Sequence, residues 1–341
     1  MKKILAMLLA VMMLLSVASV AMAEDAEPTD APATPDYTDQ QTVTIHKSYK
    51  NINDCGASPA ETFTLQQVGD GTVTNGEATS APALGTITGA TYAYSGATTT
   101  GAVADITVTL PQYTNVGVYE YNLKEVAGTT AGVNYFNGNI KLVVTVINGE
   151  NGKLRIAGVH TESEDAKSDT FENTYSAGVL GVEKKVEGIL GDKSKDFEFS
   201  VTFTAPEGKT WAMTHSGYDD VFSILLAENE YGTIDTAHMI KTDNTITYPF
   251  KLKDGGRVAF GNLPYGVTYT VTETAVDGYT TTQTNENGTI NSAEVISTFT
   301  NTKTGTIDMG VMLDSMPYVL VLAVVGAAVI ALIAKKRRAE D

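Results

Sequence analysis

The chain has 341 residues and a formal net charge of −17, with 18% charged residues and 31 glycines. That acidity disfavours nucleic acid, because phosphate contacts need clustered Lys and Arg, and it suits a self-repelling surface protein. Cys55 is the single cysteine, so no internal disulfide can staple the chain and any covalent closure must use other chemistry.

Residues 1–23 read as a secretory signal: Lys2 and Lys3 open it, residues 4–20 form an apolar core, and Ala21-Met22-Ala23 is an A-x-A site that places cleavage between Ala23 and Glu24. Residues 24–41 hold prolines among Asp, Thr and Ala, with too little apolar surface to order themselves.

From residue 42 the pattern becomes that of strands. Val43, Ile45 and Lys47 share one face by the two-residue period, which puts the lysine on the apolar side. Further strands are predicted at 62–68, 86–94, 105–110, 117–126, 139–146, 153–161 and 170–175, separated by turn signals such as Asn75-Gly76, Asn137-Gly138 and Asn148-Gly149. A second set begins near residue 177. Leu180, Val182, Lys184 and Val186 alternate on one face, as do Phe197, Phe199, Val201 and Phe203. Strands follow at 222–226, 245–250, 257–260, 268–274, 280–284 and 294–300. Residues 218–237 are less regular, with a short helix or long loop expected, and residues 261–266 read as a tight connection. Many short strands at this spacing predict an all-β chain of two tandem Ig-like β-sandwich domains, 42–176 and 177–303.

Residues 304–315 form a polar linker. Residues 316–334 carry no charge and are long enough for a transmembrane helix. Lys335, Lys336, Arg337 and Arg338 follow, which assigns residues 335–341 to the cytoplasmic side.

One order of residues occurs twice: a lysine opening each domain, a glutamate within it and an asparagine closing it. The lysines are Lys47 and Lys184. The glutamates end the phrases 119–125 and 269–273 as Glu125 and Glu273, and the asparagines close Phe171-Glu172-Asn173 and Phe299-Thr300-Asn301. Periodicity turns all three types inward, whereas Lys124, Glu172, Glu183 and Lys185 fall on the opposite faces. Burial favours the neutral forms of an amine and a carboxyl. A neutral lysine can attack an asparagine amide, with a glutamate moving the protons, and ammonia leaves behind an amide crosslink. Each residue taken singly is commoner as a strand-end lysine snorkelling to water, a rim glutamate or an ordinary Phe-x-Asn. The recurrence in the same order and phase favours the crosslink.

These segments resemble the isopeptide-linked pilin domains of streptococcal-type backbone pilins of Gram-positive bacteria. The lysine strands are 43–47 and 180–186, the glutamate strands 119–125 and 269–273, and the asparagine strands 171–175 and 299–302. The resemblance implies Ig-like sandwiches, each closed by one autocatalytic bond between its first and last strands: Lys47–Asn173 with Glu125, and Lys184–Asn301 with Glu273. It implies a fimbrial shaft subunit on the cell surface, anchored to wall or membrane, with other pilin subunits and a sortase as partners. It implies neither a cofactor nor a metal, and no enzymatic activity beyond self-closure. No LPxTG motif is present; Thr306-Ile307-Asp308-Met309-Gly310 stands in its place, with Met309–Gly310 as the degenerate cleavage position, and Lys167 is the candidate intersubunit lysine.

The rival readings are an enzyme and a non-polymerising anchored adhesin that binds a host or bacterial surface ligand. His46, His160, His215 and His238 show no HExxH spacing, and no G-x-S-x-G elbow occurs. Cys55 sits in a polar, loop-like stretch, where a lone thiol reads as incidental. Trp211, Tyr218 and Tyr231, in the irregular part of the second domain, are the candidate adhesin aromatics.

Overall fold

A computed structural model describes residues 39–53, 56–163, 166–215 and 223–306, together with positions 321 and 325. The signal cleavage site Ala23–Glu24, Cys55, Tyr218, the Met309–Gly310 position and nearly all of the apolar segment 316–334 lie outside the described residues. Among the described residues no helix is long and apolar enough to cross a membrane.

The chain builds two β-sandwiches. In the first, one sheet runs Ala102–Thr109, Thr42–Asn51, Thr170–Tyr175, Val133–Asn134. The facing sheet runs Ala166–Lys167, Leu154–Ser163, Ile140–Asn148, Gly117–Glu125, Leu65–Gln67, with Thr72–Thr74 also paired to Gly117–Glu125. In the second, one sheet runs Thr214–His215, Ser223–Glu228, Arg257–Pro264, Ala177–Glu187, Glu294–Thr302, Thr280–Thr284. Its partner runs Gly232–Ile234, Thr245–Leu252, Phe197–Thr204, Thr268–Glu273, Asn287–Thr289. Both put the opening and closing strands side by side and parallel: Thr42–Asn51 against Thr170–Tyr175, and Ala177–Glu187 against Glu294–Thr302. A parallel pair needs a long crossover, and here the crossover is the rest of the domain.

Alternation drives the packing. Tyr119, Tyr121 and Leu123 are buried along the strand that ends in Glu125, while Val118, Glu120, Asn122 and Lys124 turn away. Phe197, Phe199, Val201 and Phe203 are all buried on their strand, and Phe199 stacks on Phe250 at 5.2 Å. Burying one such side chain stabilises by roughly 1.5–3 kcal/mol, so these stripes fix which face of each strand is internal.

Three sequence expectations need correction. The strand expected over 62–68 is two short strands, Glu61–Phe63 and Leu65–Gln67, serving different sheets. The irregular region, from residue 223 onward, holds the strands Ser223–Glu228 and Gly232–Ile234 and a single 3-10 turn, Thr236–His238, in place of a short helix or long loop. The tight connection expected at 261–266 is instead strand as far as Pro264, paired Ala177↔Pro264 and Gly178↔Leu263. Asn262, at φ 56°, makes the bulge that shifts the register between Gly178 and Leu180. Asparagine tolerates that left-handed backbone better than most residues, so the Gly-Asn-Leu-Pro run re-aims a strand instead of ending it.

The same bulge lies where the sandwiches meet. Asn262 is fully buried and accepts a hydrogen bond from the Tyr175 hydroxyl at 3.2 Å. The Asn53 side chain donates to the Tyr265 hydroxyl at 3.0 Å and accepts from the Ala177 N–H at 3.3 Å. Gly132, at φ 77°, leaves no room there for a side chain: a Cβ would stand 2.7 Å from the Ser176 carbonyl oxygen.

Candidate functional site

Lys47 is in register with Phe171 on the parallel closing strand, and Tyr49 with Asn173. Lys184 is likewise in register with Phe299, and Val186 with Asn301. The asparagine therefore stands two residues beyond the lysine's partner in both domains, on the same face. The glutamate reaches across from the opposite sheet, and each is the last residue of its strand, Gly117–Glu125 or Thr268–Glu273.

The side chains converge. In the first domain the Lys47 ammonium donates to Glu125 Oε2 at 2.7 Å, and Asn173 Nδ2 donates to Glu125 Oε1 at 2.5 Å. In the second, Lys184 Nζ and Asn301 Nδ2 both donate to Glu273 Oε1, at 2.7 and 2.6 Å. Lys47 and Asn173 are 0% exposed, Lys184 3% and Asn301 1%. Aromatic faces wall the amines: Lys47 Nζ lies 3.8 Å from the Phe171 ring centre and 5.0 Å from Phe63, and Lys184 Nζ lies 4.3 Å from Phe197 and 5.5 Å from Phe199. The Tyr92 hydroxyl donates to the Lys47 carbonyl at 2.5 Å, fixing the backbone that carries the amine.

Burial dominates the electrostatics. Loss of water pulls the Lys47 pKa down to about 8, against the opposing pull of the Glu125 charge and hydrogen bond. Burial lowers Lys184 as well, again opposed by its glutamate. The neutral, nucleophilic amine is thus far more accessible than on a surface lysine. A donor, a carboxyl and an amide held in contact also have the high effective molarity that bond formation needs.

The remaining candidates stand elsewhere. Lys167 is exposed on the edge of its sheet, in the short strand Ala166–Lys167 paired with Glu162–Ser163. Lys185, the neighbour of Lys184, is exposed and ion-paired to Glu187 at 2.5 Å. Trp211 is buried to 8% exposure while Tyr231 is 46% exposed, so those two aromatics do not present one face. His46, His160 and His238 each pair with a carboxylate, and no cluster of metal-ligating residues occurs among the described residues. One participant carries no sequence signal: the backbone N–H of Phe136, in an irregular stretch, donates to Asn173 Oδ1 at 2.7 Å.

Two all-β sandwiches, each with a buried Lys–Glu–Asn set bridging its first and last strands, define the class of protein. Residues 43–176 match the family described as the Spy0128-like isopeptide containing domain, and residues 178–303 match a domain of unknown function, DUF7601. A curated pilin of Streptococcus pyogenes serotype M1 is 29% identical, with 84% of this chain and 88% of that protein covered. The crystal structure of the major pilin from Streptococcus pyogenes shares the fold: TM-score 0.51, 23% identity, 79% of this chain and 100% of that chain covered. A point mutant of a Streptococcus pyogenes major pilin superposes similarly, at TM-score 0.51 and 24% identity over 78% of this chain and 99% of that one. Residues 43–176 thus match a Spy0128-like isopeptide containing domain, and the chain is similar over most of its length to a streptococcal pilin.

Proposed function

We propose that the chain is the shaft subunit of a cell-surface pilus and that each sandwich closes itself with one Lys–Asn isopeptide bond, Lys47–Asn173 and Lys184–Asn301. The observation that carries this reading is the shared carboxyl. In both domains the lysine amine and the asparagine amide nitrogen rest on one buried glutamate.

The chemistry follows from those contacts. The lysine ammonium gives a proton to the carboxylate 2.7 Å away, leaving a neutral amine and a carboxylic acid. The amine lone pair attacks the asparagine Cγ and the carbonyl π pair moves to Oδ1. In the tetrahedral adduct the amide nitrogen is no longer conjugated and becomes basic. The glutamate gives it a proton and takes one from the lysine nitrogen. The Cγ–Nδ2 bond then breaks, the carbonyl re-forms, and ammonia leaves. The products are one secondary amide, one ammonia and the glutamate as its carboxylic acid, which keeps the proton the lysine ammonium gave up and returns to the carboxylate if ammonia leaves as ammonium.

The subunits would be joined through the surface. Lys167, exposed on a sheet edge, is the proposed acceptor. The Met309–Gly310 bond, just before the apolar segment 316–334, is the proposed sortase cleavage point. That segment would hold the chain at the membrane until transfer.

Intact mass of the 24–303 segment under denaturing, reducing conditions tests the closures. A deficit of two ammonia molecules is expected, with one restored by Glu125→Ala and one by Glu273→Ala. A mass equal to that of the plain sequence would sink the crosslink reading.

A further inference from the structure

The two triads share residue types but differ in what surrounds the amide oxygen. In the first domain Asn173 Oδ1 accepts the Phe136 N–H at 2.7 Å. A backbone N–H can only donate, so the atom facing it must be the oxygen, and Nδ2 is thereby turned to Glu125. Glu125 uses its oxygens separately, Oε2 for Lys47 and Oε1 for Asn173. In the second domain Glu273 Oε1 serves both nitrogens, and Asn301 Oδ1 and Glu273 Oε2 are buried without a hydrogen-bond partner among the described residues.

When the amine adds to Cγ, the negative charge develops on Oδ1. A donor already placed on that oxygen, in a buried site, stabilises the adduct without any reorganisation. We infer that the backbone N–H of Phe136 is the oxyanion donor for closure of the first domain, and that the second domain closes without such a donor. The inference rests on the proposed Lys–Asn bond. In the first domain Glu125 is left to move protons between the two nitrogens, while Phe136 holds the oxygen through attack and collapse. In the second, Glu273 is the only described group at hydrogen-bonding distance from the amide, and rotation of Asn301 about its last bond would bring Oδ1 to that carboxyl.

Phe136 suits the role. Its N–H belongs to no strand, so the hydrogen bond to Asn173 can be removed without breaking a ladder. Its ring packs 5.3 Å from the Phe171 ring, whose face in turn receives the Lys47 amine. The loop thus supports both reacting groups: the amide through its backbone, the amine through its side chain.

The test is the closure rate of each domain in the full chain. Cell-free synthesis is stopped at intervals in denaturant, and the two crosslinked peptides are followed by mass. Phe136→Pro removes the donor; Phe136→Ala keeps it and removes the ring. Loss of one oxyanion donor slows such reactions by about 10²–10³-fold. Phe136→Pro is expected to slow the first closure by that factor, to leave the second unchanged, and to act far more strongly than Phe136→Ala. First-domain closure within a few-fold of the native rate in Phe136→Pro, or equal slowing by Phe136→Ala, would overturn the inference. If Phe136→Pro does not fold, amide exchange decides. In Lys47→Ala, which cannot form the bond, the Phe136 amide should exchange about tenfold more slowly than in Lys47→Ala with Asn173→Ala, the worth of one hydrogen bond. Equal exchange in the two would overturn it. Absence of ammonia loss from both domains of the native chain would sink the crosslink reading itself and this inference with it.

Discussion

At the scale of single residues, the site is governed by one balance: burial pushes Lys47 toward the neutral amine and Glu125 holds it charged. The reactive form, a neutral amine beside a carboxylic acid, carries the same protons as the ion pair, so its share does not change with pH until the pair loses a proton to solvent, at the Lys47 pKa of about 8. First-domain closure, timed by mass after synthesis in buffers from about pH 6 to about pH 10, should be flat below about pH 8 and slow above it, as the acid that protonates the leaving amine is lost. A rate that rises steadily through about pH 8 would show that the proton goes to solvent before attack. The same balance ranks variants. Asn173→Ala removes the electrophile but keeps the ion pair. Glu125→Ala strands a buried ammonium, at a cost of about 3–5 kcal/mol. By chemical denaturation Glu125→Ala should be the less stable of the two, although both lack the bond; equal stability would mean that water enters to solvate Lys47.

At the scale of elements, function depends on register. Lys47 faces Phe171, Lys184 faces Phe299, and the asparagine follows two residues later in each closing strand. A shift by one residue turns a side chain to the other sheet face. Exchanging Asn173 with Thr174, as Asn173→Thr with Thr174→Asn, keeps composition and strand length but moves the amide outward. The expected mass is that of a chain short of one ammonia rather than two, because only the second domain closes. Two deficits in that variant would show that strand register does not set the chemistry. This level was legible in the sequence to the extent that alternation carries it: Tyr119, Tyr121 and Leu123 lead to Glu125 on one face, and Phe171 to Asn173. Asn262 was not legible, because a Gly-Asn-Leu-Pro run has the chemistry of a turn and only its pairing with Ala177 and Gly178 reveals a bulged strand.

At the scale of the molecule, each proposed bond ties the first strand of a domain to the last. Closing a loop on the order of 100 residues contributes roughly 4–5 kcal/mol by restricting the unfolded chain. A pull on the two ends of such a domain would pass through the bond and bypass the sheets. The domain junction adds directional contacts from Asn53, Tyr175, Asn262 and Tyr265, which limit how freely one sandwich turns on the next. Assembly is tested separately from closure. In cells that make the chain together with the proposed sortase, Lys167→Ala should abolish the ladder of covalent multimers on denaturing gels while both ammonia deficits persist. A ladder that survives would move the acceptor to another lysine.

The amino-acid sequence by itself determined the residue types, their order and their faces. A two-residue period is local, and it places Lys47, Glu125 and Asn173 inward wherever those strands end up. It also determined that closure could not be a disulfide, since Cys55 stands alone. Tertiary structure decided what depends on residues far apart in the chain. It made the opening and closing strands parallel neighbours, offset lysine and asparagine by two positions, and brought each glutamate across from the facing sheet. It also gave the first amide a backbone donor from an irregular loop and left the second without one among the described residues. Pairing of distant strands and the aim of a loop N–H are set by the packing of whole sheets, and no local pattern of side chains records them.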